Sequence, residues 1–225
     1  METKLNVPSR KIAYDRFKNR LFDRTLSPGS FVTQRELCDI LESPMGAVRE
    51  ALKRLEAEGL VNLLPQRGIQ IIKLDVRFVN EAYQLRMIFE QEAVRKMACA
   101  PKEPFLEDLY NRTSEMKARA EMQDRIDEDL GAEGLKIDLD LHDALIANLE
   151  NTLVSDSYQK IDDRVRLIRM NSKFNRDRLV DAMSEHLAII SALLQADEKQ
   201  SLTALTNHIS TSWRRALGDK DAVFI

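Results

Sequence analysis

Cysteine is nearly absent from this chain. Cys38 and Cys99 are its two thiols, far apart and each without a second sulfur at metal-ligand spacing, which excludes a disulfide framework and a zinc ribbon and leaves two ordinary, half-buried thiols. No apolar run reaches transmembrane length, and the opening "METKLNVPSRK" lacks the apolar core of a signal peptide, so a cytoplasmic location is expected. Glycine and proline are scarce, seven and six in 225 residues; with 44% hydrophobic and 32% charged residues this describes a helix-rich globular protein. The length allows two domains, each with its own core. Histidine occurs three times, at His142, His186 and His208, all in the back of the chain.

What is present divides the chain by charge. The net charge of −3 conceals a basic front, 13 Lys and Arg against 9 Asp and Glu over residues 1–73, and an acidic remainder, 21 against 28. A polyanionic partner would meet the front only. On charge alone, ordinary surface scatter is an equal alternative.

The front reads as three helices and a ribbon. A helical pattern from about Arg10 to Arg24 sets Ile12, Phe17, Leu21 and Phe22 near one face and ends at "SPGS". Thr33-Gln34-Arg35-Glu36 is a capping box that starts a two-turn second helix carrying Leu37, Ile40 and Leu41. Ser43-Pro44 is read as an N-cap hydroxyl followed by proline at the first helical position. The third helix sends Val48, Ala51, Leu52 and Leu55 inward and stops at Gly59. "LVNLL", then Pro65-Gln66-Arg67-Gly68, then "IQIIKL" predicts two short strands with a cation at the tip of their turn. This is the plan of a winged helix-turn-helix, whose third helix enters the major groove amino end first. Arg49 and Lys53, four apart and off the apolar stripe, point outward; a guanidinium fork suits phosphate or a guanine edge, and lysine acts more as a point charge.

The stretches "TQRELCDIL", "AVREALKRLEAEGLV" and "PQRG" resemble the DNA-binding domain of the GntR superfamily of bacterial transcription regulators, over roughly residues 8–73. The resemblance implies DNA contacts from Arg35, Arg49, Arg67 and Gly68. Where the family usually has Ser-Arg-Thr-Pro, this chain has Pro44-Met45-Gly46-Ala47, so the arginine that commonly reads a base is replaced by Met45. Non-specific affinity would survive that change, with a different operator sequence.

Beyond Asp75 the segments 78–98, 104–124, 136–149, 154–172, 176–196 and 199–217 carry apolar stripes at helical period, with Gly131 and Gly134 marking a loop, and an all-helical bundle is the economical packing. The fold class is therefore mainly α, a winged helix-turn-helix over residues 1–73, a linker over 74–78 and a helical domain over 79–225. All three histidines face inward: His186 shares a face with Met183 and Ile190, His208 with Leu205, and His142 with Leu145 and Ile146. One such histidine is usually a hydrogen-bonded core residue. Three on different helices, with Asp138 one turn before His142, suit a single divalent ion, zinc first, with nickel, manganese and iron as alternatives. Asp140, two residues before His142, faces away and is read as solvated surface.

"DLDLHDALIANLEN", "EHLAIISALLQAD" and "NHI" resemble the metal-binding FCD effector domain of the fatty-acid-regulator subfamily, over about residues 79–217. Its pattern implies Asp138, His142, His186 and His208 as ligands. Leu141 and Glu150 stand where the family often has Phe and Gly. The resemblance implies a small carboxylic acid anchored at the metal, and a homodimer that grips a pseudo-palindromic operator. Arg86 falls among Val79, Ala82, Phe89 and Ala93 and needs an anionic partner: Glu90, one turn on, or the bound acid. Arg169, four after Val165, is a second effector-binding candidate. Two other classes stay open, a regulator that senses the metal itself and a metal-dependent hydrolase with Glu185 as its base. A di-iron carboxylate bundle ranks below both, because paired Glu-x-x-His motifs are missing.

Overall fold

The computed structural model describes residues 9–170 and 175–218. The chain divides into two compact units between Phe78 and Val79. In the first unit, α1 (Ser9–Phe22), α2 (Gln34–Ile40) and α3 (Met45–Ala57) pack against a three-stranded antiparallel sheet of β1 (Phe31–Val32), β2 (Val61–Leu64) and β3 (Gly68–Ile71), ordered β1-β3-β2. Phe17, Leu21, Leu37, Val48, Leu52, Leu55, Ile69 and Ile71 form its core. Thr33 caps α2 as its sequence demands: the Glu36 amide donates to Thr33 Oγ1 at 3.2 Å, and the Thr33 amide donates to Glu36 Oε2 at 2.7 Å. The tight turn between α2 and α3 is held from α1, where Arg16 Nη1 donates to the carbonyls of Leu41 and Glu42 at 2.8 and 2.6 Å.

Four local expectations change here. The sheet has a third strand, too short to leave a periodic signal: Phe31 pairs with Gln70 and Val32 with Ile69. Ser43 does not cap α3, because its hydroxyl donates to the Leu41 carbonyl at 2.8 Å; Pro44 takes the N-cap position and the helix begins at Met45. Ile12 is exposed, and Ala13 and Tyr14 are buried in its place, with the Tyr14 hydroxyl donating to Glu58 Oε2 at 2.6 Å. The segment 74–78 is linker only in part, since Val76 already starts a helix that the Asp75 carboxylate supports by accepting from the Phe78 amide.

The second unit is helical: α4 (Val76–Cys99), α5 (Glu103–Glu121), α6 (Glu128–Ala147), α7 (Thr152–Met170), α8 (Arg176–Leu194) and α9 (Glu198–Ala216). Helix α8 is packed by α5, α6 and α9, and Leu106, Leu109, Leu141, Leu145, Ile189, Ile190, Leu193, Leu205 and Ile209 fill the interior. The expected helix over 136–149 starts eight residues earlier. Asp127 caps it, accepting from the Leu130 amide at 2.8 Å, with Glu128 and Asp129 complementing the dipole of its first turn. Gly131 and Gly134 therefore lie inside α6. A Cβ on Gly134 would stand 2.6 Å from Leu179 Cδ1, so this glycine lets α6 come close to α8. Residues 171 and 172 of the expected 154–172 helix lie outside the described residues. Cys38 is half-buried as expected, whereas Cys99, at the end of α4, is exposed. Among the described residues, no helix is long and apolar enough to cross a membrane.

Candidate metal centre and nucleic-acid interface

Helix α6 sets Asp138 and His142 one turn apart on its buried face, α8 contributes His186 and α9 contributes His208. One donor atom from each of the four lies within 4.8 Å of every other. The imidazole centroids are 4.6 to 5.6 Å apart, and none of the three histidine residues is more than 2% exposed. Asp138 Oδ1 faces two of the rings, 3.4 Å from His186 Nε2 and 3.7 Å from His142 Nε2. Its other oxygen, Oδ2, accepts from Arg169.

The outer nitrogens are held by carboxylates. His142 Nδ1 is 2.7 Å from Glu90 Oε2, and His208 Nδ1 is 2.7 Å from Glu185 Oε2. Glu90 is the centre of a buried network: Arg86 Nε donates to its Oε1 at 2.6 Å, and the Tyr158 hydroxyl donates to the same oxygen. Burial pushes the Glu90 carboxyl up, but Arg86 and His142 outweigh it and hold it at about 2. An ionised carboxylate only accepts, so His142 Nδ1 is the donor to Glu90 and Nε2 is the nitrogen directed at the cluster. Burial also raises Asp138, and Arg169 with the imidazoles reverses that, leaving its carboxyl well below the usual range. His186 and His208 are depressed by burial, so both rings favour the neutral form a metal ion requires.

Among the described residues, His142 Nε2, His208 Nε2 and both ring nitrogens of His186 are buried without a hydrogen-bond partner. Four such orphans in one spot would be costly in a finished core. Three imidazoles and a carboxylate around one point form a donor set that a divalent ion fits.

A cavity of about 290 Å³ adjoins the cluster, with Asp138 and His208 in its wall and Arg166, Arg169, Arg178 and Arg215 around it. Arg169 lines this cavity. Arg86 does not line the cavity, and the partner it needs is Glu90. Asp140 is not free surface either, since Arg112 Nη2 donates to it. The sequence pointed to Glu90 only through its i+4 spacing from Arg86. Its contacts with His142 and Tyr158, 52 and 68 residues away, leave no local signal.

In the first unit, Arg35 on α2 and Arg49 and Lys53 on α3 are exposed, as is Arg67 at the wing tip. Arg49 Nε donates to Gln34 Oε1 at 3.3 Å, and Lys53 Nζ to Glu50 Oε1 at 2.7 Å. Met45, the first residue of α3, is 38% exposed. The wing turns through Gln66 at φ +62° and Gly68 at φ +91°. A Cβ on Gly68 would sit 3.0 Å from the Val32 carbonyl oxygen, so glycine is needed here for both space and dihedral.

Comparison with known proteins agrees with both units. The family model for bacterial regulatory proteins of the gntR family matches residues 10–71, and that for the FCD domain matches residues 81–211. The HTH-type transcriptional regulator YdhC of Bacillus subtilis is 23% identical over 198 residues, covering 87% of this chain and 86% of its own. The Nta operon transcriptional regulator of Aminobacter aminovorans is 27% identical over 190 residues, with 84% and 86% covered. The structure of McbR/YncC from E. coli superposes with a TM-score of 0.72 at 16% identity, over 94% of this chain and 98% of that one, which shows a shared fold. With its winged front unit and its six-helix back unit each matched by a family model, the chain belongs to the GntR family of bacterial regulatory proteins that carry an FCD domain, and it is a DNA-binding transcription regulator, not an enzyme.

Proposed function

We propose that this regulator works in the cytoplasm as a homodimer whose operator binding is controlled by a small organic acid held at a divalent metal ion in the FCD domain, residues 79–225. The carrying observation is the cavity that has Asp138, His208 and Arg169 in one wall. Asp138, His142, His186 and His208 are the ligands, with zinc as the first expectation and nickel, manganese or iron as alternatives. When bound, the ion supplies a Lewis-acidic anchor for a carboxylate. Arg169 orients Asp138 and adds a cation beside the acid. Arg86 acts indirectly, by holding Glu90 against His142.

In the winged domain, residues 1–73, Arg35, Arg49, Lys53, Arg67 and the Gly68 backbone contact DNA, α3 in the major groove and the wing on the backbone or minor groove. Two-fold symmetry in the protein matches a pseudo-palindromic operator. The acid acts to the extent that it favours one packing of the helical domain over another.

The test is a thermal-shift panel of carboxylates on the full chain before and after chelation. A ligand at a hundred times its Kd adds about 2.7 kcal/mol, several degrees of Tm. The expected hits are abolished by chelation and by His186→Ala, and they change retention of an operator fragment. Hits that ignore the metal would remove it from the effector site. Bound metal with no acid hits, and operator binding that follows metal alone, would make the ion itself the signal.

A further inference from the structure

Given the acid-at-the-metal reading above, on which this depends, we infer that the effector is a monocarboxylate with an apolar body of about one aromatic ring or a chain of six to eight carbons, not a sugar acid or a polycarboxylate. The cavity carries a run of apolar lining as well as its charged groups. It touches α6 from Gly131 to Leu139 and α8 from Arg178 to Glu185. At 1.5 Å per residue, the wall runs about 10 Å from Asp138 toward the amino end of α6. Along that length the lining includes Leu135 and Leu139 from α6 and Leu179, Ala182 and Met183 from α8, with Arg178 where the α8 stretch begins. Leu135 is 38% exposed and Leu139 half-buried, so apolar surface beside the metal cluster is left for a ligand to cover.

Charge matching limits the head group. Arg169 already engages Asp138, and Arg215 Nη2 engages Asp181 at 2.7 Å. Two of the four arginines around the cavity are thus also engaged by carboxylates of the chain, and one carboxylate at the metal is the charge the inference assigns to the ligand. A second carboxylate or a row of hydroxyls would have to leave water for a leucine-lined wall, which is unfavourable without partners. A ring or an alkyl chain gains there in proportion to the area it buries. The volume of about 290 Å³ is at the small end for ligand sites and accommodates a body of this size.

Calorimetric titration of the metal-loaded full chain with acetate, hexanoate, phenylacetate, succinate and gluconate tests the inference, with metal content checked afterwards. Hexanoate and phenylacetate are expected to bind at least tenfold more tightly than acetate, and succinate and gluconate no more tightly than acetate. Leu135→Asn, at an exposed helical position that leaves folding intact, should weaken hexanoate and phenylacetate severalfold and leave acetate unchanged. Metal-dependent acetate binding with no gain from an apolar body, or tighter binding of succinate or gluconate, overturns the inference and leaves the acid-at-the-metal reading standing. An equal loss of acetate and phenylacetate in Leu135→Asn also overturns it. Absence of binding by every acid overturns both.

Discussion

Glu90 joins two halves of the metal cluster's support at the scale of single residues. It takes Arg86 and Tyr158 on one oxygen and His142 on the other. Carboxylates behind ligating histidines commonly contribute 10–100-fold in metal affinity. Glu90→Gln is therefore expected to weaken metal binding by about that factor in chelator competition, with circular dichroism confirming the fold; unchanged affinity in folded protein would mean that Glu90 serves Arg86 alone. Glu150 is a second residue-scale case. It stands where the resembling family often has glycine, and the backbone there is left-handed, φ +54°, while its contact with Lys96 at 3.7 Å is exposed and weak. Glu150→Gly should raise stability by about 0.5 kcal/mol, relief of the left-handed strain exceeding glycine's added chain entropy; calorimetric Tm checks it. The departure from the family pattern was legible in the sequence, but its cost was not, since only the backbone reveals the dihedral.

Elements were legible where local chemistry set them. The Thr33-Glu36 capping box formed as read, because both partners lie within one turn. Ser43 failed as a cap because the Leu41 carbonyl, also local, competed for its hydroxyl. The α6 start precedes the expected one because glycine at 131 and 134 signals a loop in isolation, whereas close packing on Leu179 makes Gly134 useful inside a helix. Strand β1 leaves no signal in the sequence because two residues carry no period, and its pairing with β3 is long-range. For the wing, Arg67→Ala should lower affinity for any operator sequence and reduce the magnitude of the log K against log salt slope by about 0.9 per lost phosphate contact. A slope that stays fixed would remove Arg67 from the DNA backbone.

For the molecule as a whole, the buried charges of the helical unit predict its response to acid. Glu90 titrates ordinarily at 4.5 in an open chain and at about 2 when folded; Asp138 is displaced in the same direction. The stabilisation from Glu90 is complete above pH 4.5 and is lost as the pH falls through about 2, and that from Asp138 is likewise lost on the acid side. Chelator-treated protein should lose helical circular dichroism across that window, and Tyr158→Phe, which removes one donor to Glu90, should move the loss to higher pH. An acid transition that ignores Tyr158→Phe would assign it to other carboxylates. The sequence by itself determined that three core-facing histidines and Asp138 share one helical domain, and that a capped, basic winged unit precedes it, because helical period and caps act over a few residues. Only the tertiary structure decided that α6, α8 and α9 bring the four groups within 4.8 Å, that Arg86 turns to Glu90, and that an arginine-rimmed, leucine-lined cavity opens beside them. Those outcomes depend on side chains dozens of residues apart meeting in a low-dielectric interior, where one orphaned nitrogen or charge outweighs any local preference.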